Sequence, residues 1–204
     1  MESVRSPPVV HSNVFLNGEV TMSSRIPTPA TVADAPAASH GLLEAVNKQL
    51  GVVPNLFRMV GNSPAALEGY LSLMGALGKG ELSGQTRERI ALAVAAINGC
   101  DYCLSAHTYL GKNVAKLDDV EITANRNGGS TDPKAAAAVL FATRVADSRS
   151  RVSDADLKAV KAAGYSDAAV IEIVLNVAFN IWTNYINTVA GTEIDFPVVH
   201  ANKA

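Results

Sequence analysis

Residues 85–97, "QTRERIALAVAAI", carry charge for one turn and are then apolar on nearly every side. A helix without a polar face has to be enclosed by its neighbours. This stretch therefore predicts a buried helix, capped by Ser83. Around it, apolar positions recur at helical intervals. "SHGLLEAVNKQL" (39–50) predicts a helix ended by Gly51, and "GVVPNLFRMVGNSP" bends at Pro54 and makes a helical turn through Phe57 and Met59. Ser63-Pro64 supplies an N-cap and a first helical residue for a helix to Leu77, which Gly78 and Gly80 end. Further helices are predicted over 100–111, 116–125, 132–147, 153–163 and 167–190, with "SDADL" and "SDAAV" opening the last two. Residues 27–36, "PTPATVADAP", read as loop. No segment alternates with a period of two over a β-branched run, so no strand is predicted and the fold class is all-α.

One echo runs through this pattern. Shifted by 83 residues, "LSGQTRERIALAVAAINGCDYC" lies over "YSDAAVIEIVLNVAFNIWTNYI", matching Ser83 with Ser166, Ile90 with Ile173, Val94 with Val177 and Tyr102 with Tyr185. Alanine-rich helices match easily, so the echo alone leaves a duplicated helical unit open.

Composition narrows the class. Of 204 residues 48% are hydrophobic and only 5% aromatic, which favours closely packed helices of small aliphatic residues. A net charge of −2 gives no reason to expect nucleic acid or an anionic membrane as partner. Charged or polar residues interrupt every apolar window before the ~18 residues of a spanning helix. Residues 1–24 are polar and proline-bearing, lack the apolar block of a secretory signal, and are expected to be an extension that need not be native. A single domain is expected over 25–204. Two cysteines without an export signal point to redox chemistry or metal in the cytosol rather than a structural disulfide framework.

Those cysteines are Cys100 and Cys103, with His107 four residues on, in "NGCDYCLSAHTYLG" (98–111). With Cys100 in the first turn of a helix, all three share one face. The helix N-terminus favours a thiolate there, the two sulfurs are close enough to join if the first turn relaxes, and His107 is placed to take a thiol proton. A carboxylate would steady the imidazole. Glu88 and Glu81 are the upstream candidates. If the chain reverses at Asn98-Gly99, Glu88 lies ~15–18 Å back along its helix and His107 ~10 Å down the next. That spacing permits the contact without requiring it.

The run "ERIALAVAAINGCDYCLSAHTYLGK" resembles the active-site segment of the alkylhydroperoxidase D-like branch of the carboxymuconolactone decarboxylase superfamily: a glutamate, twelve residues to a CxxC pair, then three residues and a histidine. "GVVPNLFRMVGNSPAALEGY" and "WTNYINTVAGTEIDFP" resemble its peroxidase-related members, so the likeness covers roughly residues 25–200. It implies an all-helical fold with internal duplication, in trimers or trimer-based hexamers. It implies Cys103 as the thiol that attacks a hydroperoxide, Cys100 as the resolving thiol, and His107 and Glu88 as a proton relay. A dithiol reductant, a lipoyl or thioredoxin-like protein, would restore the pair with no haem, flavin or other cofactor. Some relatives carry a further histidine where this chain has Tyr102, which is expected to pack or to line a pocket.

Other readings stand beside this one. A zinc site from Cys100, Cys103, His107 and Glu88 has suitable ligand types, but three ligands crowded into one helix make a poor tetrahedron. The pair would serve equally in a dithiol–disulfide oxidoreductase or redox sensor without efficient peroxidase turnover. An enzyme of the decarboxylase type is disfavoured by the CxxC. His40 and His200 sit in polar stretches and are expected to be solvated, and His11 lies in the extension.

Overall fold

A computed structural model describes residues 24–201. The extension expected over 1–24 lies outside the described residues except for Ser24, and so does His11. Among the described residues the elements are a 3₁₀ turn at Val32–Asp34 and the helices α1 (Ala37–Leu50), α2 (Asn55–Val60), α3 (Pro64–Leu77), α4 (Gly84–Ile97), α5 (Asp101–Asn113), α6 (Asp119–Arg126), α7 (Pro133–Asp147), α8 (Asp154–Ala162) and α9 (Asp167–Ala190). There is no strand among them. The 3₁₀ turn falls inside the segment read as loop.

The helix starts follow their caps. The side chains of Ser63, Ser83, Asp118, Asp132, Ser153 and Ser166 each accept a backbone N–H three residues on, satisfying donors that a first turn leaves open.

α4 is the axis of the molecule. Every residue from Ile90 to Ala95 is buried. Leu92 and Ala95 join an apolar cluster with Leu43 of α1, Met59 of α2, Leu67 of α3 and Leu104 of α5. Ile90 and Val94 join a second cluster with Phe141 of α7, Val160 of α8 and Ile173 of α9. Burying each large aliphatic side chain contributes about 1.5–3 kcal/mol, so α4 ties the two clusters into one body.

α9 is long and apolar enough, by length and composition, to cross a membrane, although no such window is apparent from the unbroken apolar runs alone. Here it is a domain helix. Asn176, Asn180, Thr183, Asn184 and Asn187 occupy its buried face against the rest of the chain. Its outer face is apolar: Ile171, Leu175, Trp182, Tyr185 and Val189 are exposed.

Candidate active site

The site is made at a helix–helix corner. Gly99 N–H bonds Ala96 O at 3.2 Å and Cys100 N–H bonds Ala95 O at 3.1 Å, the paired bonds that close a helix C-terminus when the residue past the cap is left-handed. Gly99 supplies that conformation with φ +65°, at no Cβ cost. The next residue, Cys100, is the N-cap of α5. It therefore lies just outside the helix, not in its first turn as the spacing had placed it. Its extended backbone (φ −88°, ψ 96°) swings the side chain back, so its Sγ accepts the Cys103 N–H at 3.2 Å. The two cysteines are joined as a disulfide, Cα to Cα 5.3 Å, and both are buried.

The chain does reverse at the corner. α4 and α5 pack together, and His107 Nδ1 meets Glu88 Oε2 at 2.9 Å, with about a fifth of each side chain exposed. Helix packing closes the gap that the spacing left open. Glu81 is elsewhere: its Oε2 accepts the Ser166 hydroxyl at 2.5 Å. Cys100 is thus paired with Cys103 and His107 with Glu88, the second pair one turn beyond Cys103 on α5, with Glu88 reaching in from α4. Among the described residues no three His, Cys, Asp or Glu side chains converge to hold a metal ion.

Tyr102 is buried and locked. Its phenol accepts the Leu56 N–H at 3.0 Å and donates to Asp195 Oδ1 at 2.9 Å. Asp195 Oδ2 in turn accepts the Asn55 N–H at 2.7 Å, so phenol and carboxylate together satisfy the first turn of α2. Burial first, and then the neighbouring Asp195 charge, push the Tyr102 phenol above its ordinary range. It acts as a packing bolt.

Three features were not legible in the sequence reading. Asn187 of α9 donates from Nδ2 to Cys103 Sγ at 3.4 Å; its signal was the run of asparagines at 176, 180, 184 and 187 on one face of an apolar helix. Tyr70 of α3 stacks on Phe179 at 4.9 Å and leans on Trp182 at 5.3 Å. Burial, and then the Glu88 charge, push its phenol up. The C-terminal segment after α9 straps across α5. Val199 N–H donates to Ser105 Oγ at 2.9 Å, Ala201 N–H donates to Asp101 Oδ1 at 2.8 Å, and the His200 ring meets Asp101 Oδ2 at 2.7 Å. His200 is therefore bonded, although mostly exposed, and His40 is half-buried with Nε2 at 2.9 Å from Ala35 O.

Two surface clefts lie away from the pair. One, of about 340 Å³, is lined by residues including Arg89, Asp132, Lys134 and Tyr165, and the other, of about 300 Å³, by Ile97, Arg126, Gly128 and Thr143 among others.

Residues 64–148, which hold all four members of the cluster, match the carboxymuconolactone decarboxylase family. No curated protein matches the chain. Among solved structures, the chain is similar to the alkylhydroperoxidase AhpD core of a peroxidase-related protein from Ralstonia eutropha JMP134, with TM-score 0.75 and 25% identity over 84% of this chain and 92% of that one. It is also similar to a peroxidase-related protein from Silicibacter sp. TM1040, with TM-score 0.73 and 21% identity over 84% and 92% of the two chains. A debrominase in complex with 2,3,4-tribromopyrrole shares the fold at TM-score 0.71 and 20% identity, over 85% and 93%.

Proposed function

Starting from a chain of the alkylhydroperoxidase D-like branch of the carboxymuconolactone decarboxylase superfamily, we propose that it is a thiol-dependent hydroperoxide reductase. One observation carries the reading: the Glu88–His107 pair stands one helical turn from a Cys100–Cys103 disulfide. A general redox role fits this arrangement and the peroxidase-related neighbours.

The cycle starts from the dithiol. Cys103 thiolate attacks the distal oxygen of a hydroperoxide. The O–O bond breaks, and the alkoxide takes from His107 the proton that the Cys103 thiol gave up, with Glu88 holding the ring. Cys103 is left as a sulfenic acid. The Cys100 thiol displaces its oxygen as water and closes the disulfide. A dithiol partner, lipoyl or thioredoxin-like, returns two electrons and two protons by exchange. No cofactor enters the cycle, and the reading puts the protein in the reducing cytosol.

The same reading makes the protein an oligomer, trimer or hexamer. Ile171, Leu175, Ala178, Trp182, Tyr185 and Val189 are spaced 4-3-4-3-4 along the exposed face of α9, the spacing of a helix seam, and an apolar strip of that length marks an interface.

The test is a thiol count. The reduced protein holds two thiols; a small excess of hydroperoxide takes them to none with one alcohol released. Cys103→Ser abolishes peroxide consumption, and Cys100→Ser leaves a sulfenic acid that a dimedone probe traps. Two intact thiols after peroxide exposure would refute the proposal. A single oxidation without turnover under any dithiol indicates a redox sensor instead. Fold alone does not carry debromination over from a 20% identical neighbour, so a brominated pyrrole belongs in the assay as a comparison substrate.

A further inference from the structure

We infer that Asn187 holds Cys103 as a thiolate, so that α9 contributes a working group to the redox centre. The inference rests on the reading of Cys103 as the attacking thiol. Asn187 is 3% exposed on the buried face of α9, where a buried amide needs partners. Among the other asparagines of α9, Asn176 Nδ2 donates to Glu172 O and Asn180 Nδ2 to Asn176 O, both at 2.8 Å along their own helix, and Asn184 bonds the end of α4 through its Oδ1, which accepts from Asn98 Nδ2 at 2.8 Å, while its Nδ2 is buried without a partner. The Asn187 Nδ2 instead points at Cys103 Sγ, 3.4 Å away, and its Oδ1 is buried with no hydrogen-bond partner.

In the disulfide state that amide is poorly satisfied, because a divalent sulfur is a weak acceptor. Reduction and ionisation turn the same sulfur into a full negative charge, and a hydrogen bond to a charged acceptor is roughly twice as strong as a neutral one. The amide therefore favours the dithiol state with Cys103 ionised. It lowers the thiol pKa and makes the disulfide easier to reduce.

Charged and titratable groups lie on the other elements. α5 carries Asp101, Tyr102, His107, Tyr109 and Lys112; α4 carries Arg87, Glu88 and Arg89; α6 carries Asp119, Glu121 and Arg126; α3 carries Glu68 and Tyr70; and the C-terminal segment carries Glu193, Asp195 and His200. The charged residues of α9 are Asp167 and Glu172, fifteen or more positions before Asn187 and so ~22 Å or more away along the axis. At the sulfur α9 thus offers a dipole and no charge, and its contribution does not itself titrate.

The experiment is a thiolate titration of Cys103 in a Cys100→Ser background, followed by ultraviolet absorbance and by the pH dependence of iodoacetamide alkylation. Asn187→Leu is expected to raise the Cys103 pKa by about one unit, a tenfold loss of thiolate below that pKa. Asn187→Asp raises it further, by putting a carboxylate beside the sulfur. Asn180→Ala, on the same buried face, leaves it unchanged. With both cysteines present, Asn187→Leu shifts the exchange equilibrium with dithiothreitol about tenfold toward the disulfide, or about 30 mV. Asn187→Ser, too short to reach the sulfur, replaces the leucine variant if that does not fold. Titration of the leucine or serine variant with the parent's pKa overturns the inference. None of these readouts uses peroxide, so failure of the inference and failure of the peroxidase reading are separable.

Discussion

α4 with α5, and α9, are the two stretches that the 83-residue shift lays over each other, and they begin alike. Ser83 and Ser166 cap them with the same bond to the third N–H. Ile90 and Ile173 are both fully buried, as are Val94 and, nearly so, Val177. Then they part. The first stretch breaks at Asn98-Gly99, while at the equivalent Ile181-Trp182 the second continues as one 24-residue helix. Every position of the cluster differs: Thr183 and Ile186 stand for the cysteines, Ala190 for His107 and Ile171 for Glu88. The comparison teaches what the corner adds. A left-handed glycine exposes a fresh helix N-terminus beside the end of α4, and the chain folds back so that α4 can reach α5. An unbroken helix offers neither.

The largest contrast comes from moving the cysteines. Thr183→Cys with Ile186→Cys, in a chain with Cys100→Ser and Cys103→Ser, should keep two titratable thiols after peroxide and consume none. Fast closure of a disulfide within α9 would show that the corner is dispensable.

Arg89 and Glu172 are also equivalent positions under the shift, and they anchor the two stretches differently. Glu172 accepts the backbone N–H groups of Glu81 and Leu82. Arg89 donates at 2.6 Å to Glu121, which also accepts from Asn125 and Ser130 and from both donors of Thr131. Burial opposes ionisation of Glu121, but those hydrogen bonds outweigh it and hold the carboxyl well below the usual range. A depressed folded pKa stabilises the protein above the unfolded value of about 4.3, and that stability is lost as pH falls through the acid range. Glu121→Gln should cost about 3 kcal/mol at neutral pH and flatten this acid dependence, read by urea denaturation at several pH values.

Glu88→Gln removes the carboxylate that steadies His107 while keeping the shape. Peroxide turnover should drop about 10- to 100-fold with the fold and the thiol count unchanged; an unaltered rate would make Glu88 a surface partner only. Gly99→Ala tests the corner by itself. A Cβ there meets nothing within 4 Å, so the penalty is conformational, about 1–2 kcal/mol for a left-handed alanine, visible as a lower urea midpoint at constant slope. Smallest are the two caps. Ser83→Ala and Ser166→Ala should each cost about 1 kcal/mol, and near-equal losses would confirm that the two stretches start as equivalents.

The sequence determined most of what is local. The serine and aspartate caps, Gly51, Gly99 and Gly191 at helix ends, and the all-round apolar run of α4 give the helices within a few residues of where they lie, because each signal acts within one turn of its own position. The cysteine pair and the histidine stood out by their spacing, whereas Glu88 was singled out from Glu81 only by the family resemblance. What only the tertiary structure decided is which side chains meet across helices: the 2.9 Å contact of Glu88 with His107, the amide of Asn187 at Cys103, the Tyr102 phenol tied to α2 and Asp195, and the C-terminal strap on Asp101 and Ser105. Those contacts depend on the angle and depth at which helices cross. Packing of the whole apolar interior sets that geometry, and no residue's own neighbours in the chain specify it.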